Sequence, residues 1–292
     1  MRGESAARLG AVLEGAVQRM ADASLREARL HAEYLMAEIA GCDRGGLYTR
    51  RDDTLTKSRI EKFEAMVQRR LNREPLQHIL KSQPFHDVTI EVTPDVLIPR
   101  PETEALVEHA LRQLPRGECR VADLGTGSGC IAIALAHARP SWRIDAIDRS
   151  EVALDIARRN AKKNGVADRI KWHLGDFSKP PAGWYGRFDA VISNPPYVRA
   201  DDHKDLEPEV RDHEPYEALV SGPTGLEAFR VLSMIAHRSL KPSGRVLLEF
   251  GFGQDAAVAR YFAEAGFGDI QIRPDLRGIP RVLDATRNGS AR

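Results

Sequence analysis

Residues 121–136 read VADLGTGSGCIAIALA: a short apolar run, three glycines spaced G-x-G-x-G, then an alanine-rich apolar run. The first part has strand character and the last part helix character, so Gly125, Gly127 and Gly129 form the turn between them. Such a turn lets backbone approach a ligand without a Cβ in the way and aims N–H groups at it. The alternation continues outward, with strands expected over 120–125, 142–148, 169–175, 188–193, 244–250, 269–274 and 280–286. Helices are expected between them over 129–138, 150–163, 225–239 and 254–265. This pattern predicts an α/β, Rossmann-like domain whose seven-stranded sheet is mostly parallel, with helices on both faces. The last two strands, joined through PDLRGIP (274–280), are close enough to pair antiparallel, which makes the last strand the exception.

The first 80 residues have a different texture. Leu9, Val12, Leu13, Ala16 and Val17 fall on one helical face. Residues 24–40 repeat the pattern with Leu25, Ala28, Ala32, Leu35 and Ile39, and Ser24 is the expected N-cap. Ile60, Phe63, Met66, Val67 and Leu71 give a third amphipathic helix over 57–72. Next, FHDVTIEVTPDVLIP (85–99) alternates apolar and polar residues around Pro94-Asp95, which reads as a β-hairpin turning there. The expected organisation is an all-α domain (1–83), a hairpin linker (84–98), the Rossmann-like domain (99–287) and a disordered tail (288–292).

Bulk properties narrow the function. Lys and Arg number 43 against 42 Asp and Glu, a net charge of +1, which lacks the basic excess of a protein that grips nucleic acid. Cys42, Cys119 and Cys130 show no CxxC spacing, so neither a disulfide frame nor a metal site is expected. The N-terminal stretch has no signal-like apolar core, and no run reaches the roughly 18 apolar residues of a membrane span. A cytoplasmic protein without a membrane partner is expected.

The glycine loop departs from the dinucleotide fingerprint, because the third glycine of G-x-G-x-x-G falls on Cys130. Asp123 stands two residues before the first glycine, where an acid disfavours a pyrophosphate and suits a ligand with a cationic amino group. The ligand this points to is S-adenosylmethionine, with S-adenosylhomocysteine as product. Candidate cofactor residues are Asp123, Gly125, Thr126, Gly127, Ser128 and Gly129, with Asp148 at the next strand end for the ribose hydroxyls. Asp176 and Phe177, after the third strand, are candidates for the adenine edge and face.

The fourth strand, FDAVISNPPY (188–197), carries an amide, two prolines and a phenol to the same sheet edge. Asn194 offers a side-chain oxygen, and Pro195, which has no N–H, offers its carbonyl. Two acceptors converging on one NH2 group hold it and orient its lone pair towards a methyl donor. Pro196 stiffens the turn, and Tyr197 offers a flat face for a planar amide or base. Asn194 also lies within reach of the cofactor.

DLGTGSG (123–129), Asp148, NPPY (194–197) and LIPRPETE (97–104) together resemble the bacterial release-factor glutamine methyltransferases, as do EPYEALVSGPTGLEAFR (214–230) and DLRGIPRVLDA (275–285). The resemblance spans nearly the whole chain, including the helical N-terminal domain. It implies N5-methylation of the glutamine in the Gly-Gly-Gln motif of class 1 peptide chain release factors. It implies that Gly125, Gly127, Gly129, Asp148 and Phe177 bind S-adenosylmethionine, and that Asn194, Pro195 and Tyr197 hold the glutamine amide. Phe177 stands where relatives often have tryptophan, and Lys81 stands where a glycine usually follows the apolar pair.

NPPY alone is shared with enzymes that methylate amino groups of DNA or RNA bases, and with a sister glutamine methyltransferase of a ribosomal protein. Those alternatives remain open on the tetrapeptide. Arg100, Glu102 and Glu104 either line the substrate entrance or cap the helix that starts at Pro101. Residues 44–81 hold ten Lys and Arg against five acids, which reads first as a solvated helix face and second as a docking surface for an acidic protein partner. On that view, reversing Arg69 and Arg70 to Glu weakens methylation of a protein substrate and spares cofactor binding.

Overall fold

The structure, a computed structural model, describes residues 7–275 and 277–289, so the end of the expected tail (290–292) lies outside the described residues. The chain divides into two compact units: residues up to Lys81 together with Pro208–His213, and Ser82–Glu207 together with Glu214 onward.

The first unit is helical. Helices α1 (Leu9–Asp22), α2 (Ala28–Ala40), α3 (Arg44–Thr49), α4 (Lys57–Leu71) and α5 (Leu76–Leu80) enclose Leu9, Leu13, Met20, Leu35, Met36, Phe63 and Val67, all buried. The sequence pattern missed one small element: β1 (Ala7–Arg8) pairs antiparallel with β2 (Thr54–Leu55). Two residues per strand are too few for an alternation to show.

Ser24 is not the N-cap of α2. Its φ is +54°, its N–H donates to the Ala21 carbonyl, and that of Leu25 to Met20. The segment closes the C-terminus of α1, Leu25 is buried as a plug, and α2 starts at Ala28 behind Glu27. Ser24 is consumed by the turn.

Most of the basic stretch is ion-paired within its own unit. Arg44, Arg50, Arg51, Lys57, Arg69, Arg70 and Arg73 each pair with a carboxylate inside this unit. Arg70 is only 4% exposed. Its guanidinium donates to Glu209 in the short helix α9 (Pro208–Arg211) at 2.7 Å, to His31 Nδ1 and to the Glu74 carbonyl. Reversing Arg70 to Glu sets two carboxylates face to face in a buried place, so the substitution disrupts the unit and reports nothing on docking.

The second unit begins with β3 (Gln83–Phe85) and β4 (Val88–Ile90), an antiparallel hairpin. The hairpin turns at His86-Asp87, eight residues before the expected place, with His86 at φ +50°. Pro94-Asp95 does turn, with the Val96 N–H donating to the Thr93 carbonyl, but irregular chain flanks it. Phe85, Val88, Ile90, Val92 and Val96 pack into the main core of this unit, so hairpin and turn are held by burial.

The expected seven-stranded sheet is present. After α6 (Pro101–Gln113) come β5 (Arg120–Leu124), α7 (Cys130–Ala138), β6 (Arg143–Asp148), α8 (Glu151–Lys163), β7 (Ile170–Leu174) and β8 (Phe188–Ser193). Helices α10 (Tyr216–Leu219) and α11 (Glu227–Ser239) lead to β9 (Leu240–Glu249), α12 (Asp255–Glu264), β10 (Phe267–Pro274) and β11 (Pro280–Arg287). The strand order is β10-β11-β9-β8-β5-β6-β7. Pairs β6–β7, β5–β6, β5–β8 and β8–β9 are parallel, and β11 runs antiparallel to both neighbours. Val121, Ala122, Ile144, Ala146, Val191, Ile192, Val246 and Leu248 are buried, as covered faces on both sides require.

Lys81 ends α5 at φ +57°, in the left-handed region. That explains a glycine preference at this position, because a Cβ there is strained. Lys81→Gly is therefore expected to stabilise the chain by about 0.5–1 kcal/mol, strain relief outweighing the added freedom of the unfolded chain. Denaturant titration of both proteins checks this, and a variant less stable than the parent contradicts it.

Candidate active site

The parallel strands deliver their C-terminal ends to one edge of the second unit, where a cavity of about 550 Å³ opens. Gly125, Thr126, Gly127, Ser128, Asp148, Asp176, Phe177, Asn194 and Pro196 line it, all of them expected from the sequence. Asp95, Leu97, Thr103, Arg149, Ala218 and Val220 line it as well.

The glycine loop is shaped by backbone geometry. Gly125 and Gly127 lie at φ +74° and +54°, where side chains are strained. Asp148 ties the loop down: one carboxylate oxygen accepts the Gly127 N–H at 2.8 Å, and the other accepts the Ser150 N–H at 2.9 Å. Each oxygen retains a lone pair for a ligand hydroxyl. Gly129 faces away from the cavity, and a Cβ there would meet Ala157, Ile133 and Trp172 at 3.0–3.2 Å. Its role is close packing of the helix start. Asn160, which the sequence reading missed, braces the loop from below. Its amide donates to the Ser128 carbonyl at 3.0 Å and bonds to the Glu91 backbone in both directions.

Asp123 sits beneath the loop and is fully buried. Thr126 donates to one of its oxygens at 2.6 Å; the other, and the Ser128 hydroxyl, have no hydrogen-bond partner. An acid and an unsatisfied hydroxyl under a glycine turn fit a ligand that brings a cation and donors, not a phosphate. Burial pushes the Asp123 carboxyl up to about 7, with Asp148 adding to the rise against the Thr126 bond. Burial would also raise Asp176, but its bonds from Ser178, with Arg149 and Lys179 nearby, hold it below its ordinary value.

At the end of β8, Asn194 Nδ2 donates to Thr103 Oγ1 at 3.0 Å. Thr103 in turn donates to Glu249 at 2.7 Å, and the Tyr197 hydroxyl donates to the other Glu249 oxygen at 3.3 Å. Glu249 ends β9, is fully buried, and is pushed up to about 7 by that burial. Burial, with Glu249 adjacent, also raises the Tyr197 phenol, so it stays a neutral donor. Among the described residues none donates to the Pro195 carbonyl. The Tyr197 carbonyl accepts from Gln254 at 3.0 Å, and the Tyr197 and Val198 amides bond to Leu219, fixing the tetrapeptide against α10.

Pro195 and Tyr197 do not line the cavity; the Tyr197 ring packs against the buried cluster around Phe250 and Leu248. Arg100 and Glu102, expected at the entrance, do not line it either. Arg100 donates to buried Glu214 at 2.6 Å, which also accepts the Ile98 N–H, and Glu102 pairs with Arg277. Within 100–104, Thr103 lines the cavity. Glu249, like Asp148, is an acid closing a parallel strand, and that position is its signal in the sequence.

Comparisons with known proteins follow this geometry. Residues 11–80 match the PrmC N-terminal domain family and residues 101–211 the methyltransferase small domain family. A crystallised methyltransferase from Pyrococcus furiosus has the same fold over 69% of this chain and 89% of its own, at 18% identity and a TM-score of 0.51. The second unit is thus a methyltransferase domain. A release factor glutamine methyltransferase of Geobacter sulfurreducens is 40% identical over 90% of this chain and 91% of its own length. Another, from Cereibacter sphaeroides, is 40% identical over 94% and 96%. The chain belongs to the release factor glutamine methyltransferase family.

The raised Asp123 carboxyl has a definite sign in the pH dependence of stability. Its folded value lies above its ordinary 3.8, so its contribution is complete at low pH and is lost as pH rises through about 7. Asp123→Asn keeps an acceptor for Thr126 and removes the titration. Between about pH 5 and pH 8 the unfolding free energy of the ligand-free parent should therefore fall relative to this variant. Denaturation at the two pH values measures the difference; a constant difference excludes a raised Asp123.

Proposed function

We propose that this protein transfers a methyl group from S-adenosylmethionine to the side-chain amide nitrogen of the glutamine in the Gly-Gly-Gln motif of class 1 peptide chain release factors. The observation that carries the reading is Asn194 at the cavity wall, its NH2 group tied back to Thr103, which leaves its oxygen as an acceptor for the cavity. An acceptor of this kind suits an NH2 group that needs holding and orienting. Family membership narrows the NH2 group to a glutamine on a release factor.

S-adenosylmethionine supplies an electrophilic methyl on a sulfonium centre. Gly125, Thr126, Gly127 and Ser128 would hold its amino-acid end above Asp123, Asp148 its ribose, and Asp176 and Phe177 its adenine. Asn194 Oδ1 and the Pro195 carbonyl accept the two amide protons of the glutamine and orient its nitrogen; such placement supplies on the order of 7–11 kcal/mol of a barrier. Their hydrogen bonds strengthen as that nitrogen becomes positive, which favours the transition state over the ground state. Pro196 stiffens the turn, and Tyr197 anchors it through Glu249. S-adenosylhomocysteine would be the second product, and the methylated nitrogen would then lose one of its two protons to solvent.

The helical unit we assign to recognition of the protein substrate, within boundaries of about residues 1–83, with Arg100 and Glu102 near its point of entry as ion-paired supports. Balanced charge favours a protein partner over stable nucleic acid binding. Among the described residues no helix is long and apolar enough to cross a membrane. The site of action is the cytoplasm, where release factors work.

Incubation with labelled S-adenosylmethionine and a purified class 1 release factor should place the label on the Gly-Gly-Gln glutamine. Label on DNA or RNA, or elsewhere on the factor, would overturn the reading. Asn194→Ala should keep cofactor affinity and lose at least about 100-fold in turnover, the scale of removing one transition-state hydrogen bond. Near-normal turnover would show that the amide is held by other groups.

A further inference from the structure

We propose that Thr103 and Glu249 are positioning residues that fix the polarity of the Asn194 amide, so that its oxygen and not its NH2 group faces the substrate. The inference deepens the glutamine reading and rests on it for its functional consequence.

A primary amide turned by 180° about its last bond has nearly the same shape, so packing alone does not choose between its two ends. Hydrogen-bond direction does. Glu249 is fully buried, and its two oxygens face Thr103 Oγ1 at 2.7 Å and the Tyr197 hydroxyl at 3.3 Å. In its ionised form, which predominates above about pH 7, it only accepts, so Thr103 then gives it the one proton its hydroxyl carries. Thr103 is then left as an acceptor towards Asn194, and Asn194 must offer Nδ2, as the 3.0 Å contact shows. Oδ1 is what remains for the cavity.

The relay joins the first turn of α6 with the ends of β8 and β9, positions 91 and 146 residues apart along the chain. Thr103 is 2% exposed, so water does not compete for its single proton. The charged groups around Glu249 are Arg281, which favours the carboxylate, and Glu102, which opposes it. Tyr197 is held neutral and donates.

The chemical result is selectivity. An outward oxygen accepts from a glutamine NH2, whereas an outward NH2 group would confront the substrate's own N–H and leave both unpaired. Outward oxygen also repels a carboxylate, so glutamate at the acceptor position is rejected.

Thr103→Val keeps the shape and deletes the relay; Thr103→Ser keeps the hydroxyl; Glu249→Gln replaces the obligatory acceptor by a group that can donate. In ligand-free 15N-labelled protein, the Asn194 side-chain protons, identified by their loss in Asn194→Asp, should be protected from solvent exchange. Protection should persist in Thr103→Ser and vanish in Thr103→Val; unchanged protection in Thr103→Val overturns the proposal without reference to turnover. With release factor and labelled S-adenosylmethionine, Thr103→Val and Glu249→Gln should lower kcat at least about tenfold, the scale of one unsatisfied buried hydrogen-bonding group. Cofactor affinity should stay near that of the parent, and Thr103→Ser should restore most of the rate. In an Asn194→Ala background Thr103→Val should cost nothing further. An equal loss in both backgrounds would mean that Thr103 acts on the fold and not through Asn194. If the parent itself leaves the Gly-Gly-Gln glutamine unmodified, the functional reading fails, while the exchange measurement still decides the polarity.

Discussion

The constraint on which the second unit depends is that its central strands, β6, β5, β8 and β9, run parallel and are covered on both faces. A strand covered on both faces has room for polar groups only at its ends. Parallel direction then brings all the C-terminal ends to one edge. Asp123 and Gly125 close β5, Asp148 closes β6, Asn194 follows β8 and Glu249 closes β9. Four strands that bury mainly apolar side chains along their middles, with the ion-paired Asp145 of β6 as an exception, thus assemble a polar site that none of them carries alone.

Placement at the edge brings an electrostatic conflict that the site uses. Asp123 and Glu249 are carboxyls without exposure, each pushed up to about 7 by burial. Neither has an arginine within hydrogen-bonding reach; each is instead given hydroxyl donors, Thr126 for Asp123, and Thr103 with Tyr197 for Glu249. A guanidinium would satisfy such an acid and remove it from further service. A hydroxyl leaves acceptor capacity: at Asp123 for a cationic ligand group, and at Glu249 for imposing direction on a chain of donors.

The fold was legible because its signal is repetitive. Alternating strand and helix patterns, and a glycine turn after the first strand of the sheet, specify the layer architecture whatever the remaining details. The errors came where a short segment serves a neighbour. Ser24 has the chemistry of an N-cap, but its N–H is taken by the end of α1. The 85–99 segment alternates correctly, but Phe85 and Val88 already face one another across His86-Asp87, so the hairpin closes early. The arginines of 44–81 count as positive charge in the sequence, and only in the structure do Glu14, Glu33 and Glu209, from outside the stretch, pair with them.

The site shows the same division in sharper form. Gly125, Gly127 and Asn194, whose identity and place at a strand end already imply contact with a ligand, line the cavity as the sequence leads one to expect, whereas Asp123, Gly129, Pro195 and Tyr197 do not. Residues that act through another residue were missed or misplaced. In PRPETE the charged Arg100 and Glu102 drew attention, and both are committed to ion pairs, while the neutral Thr103 between Glu102 and Glu104 reaches Asn194. Nothing local distinguishes that threonine. Its role is set by Glu249, 146 residues away, because an ionised carboxyl can only accept, and that restriction passes through one hydroxyl to decide which end of an amide faces the cavity. Direction of this kind belongs to a pair of contacts and to no single residue, so it becomes visible only once the folded chain has brought both partners to the same strand edge.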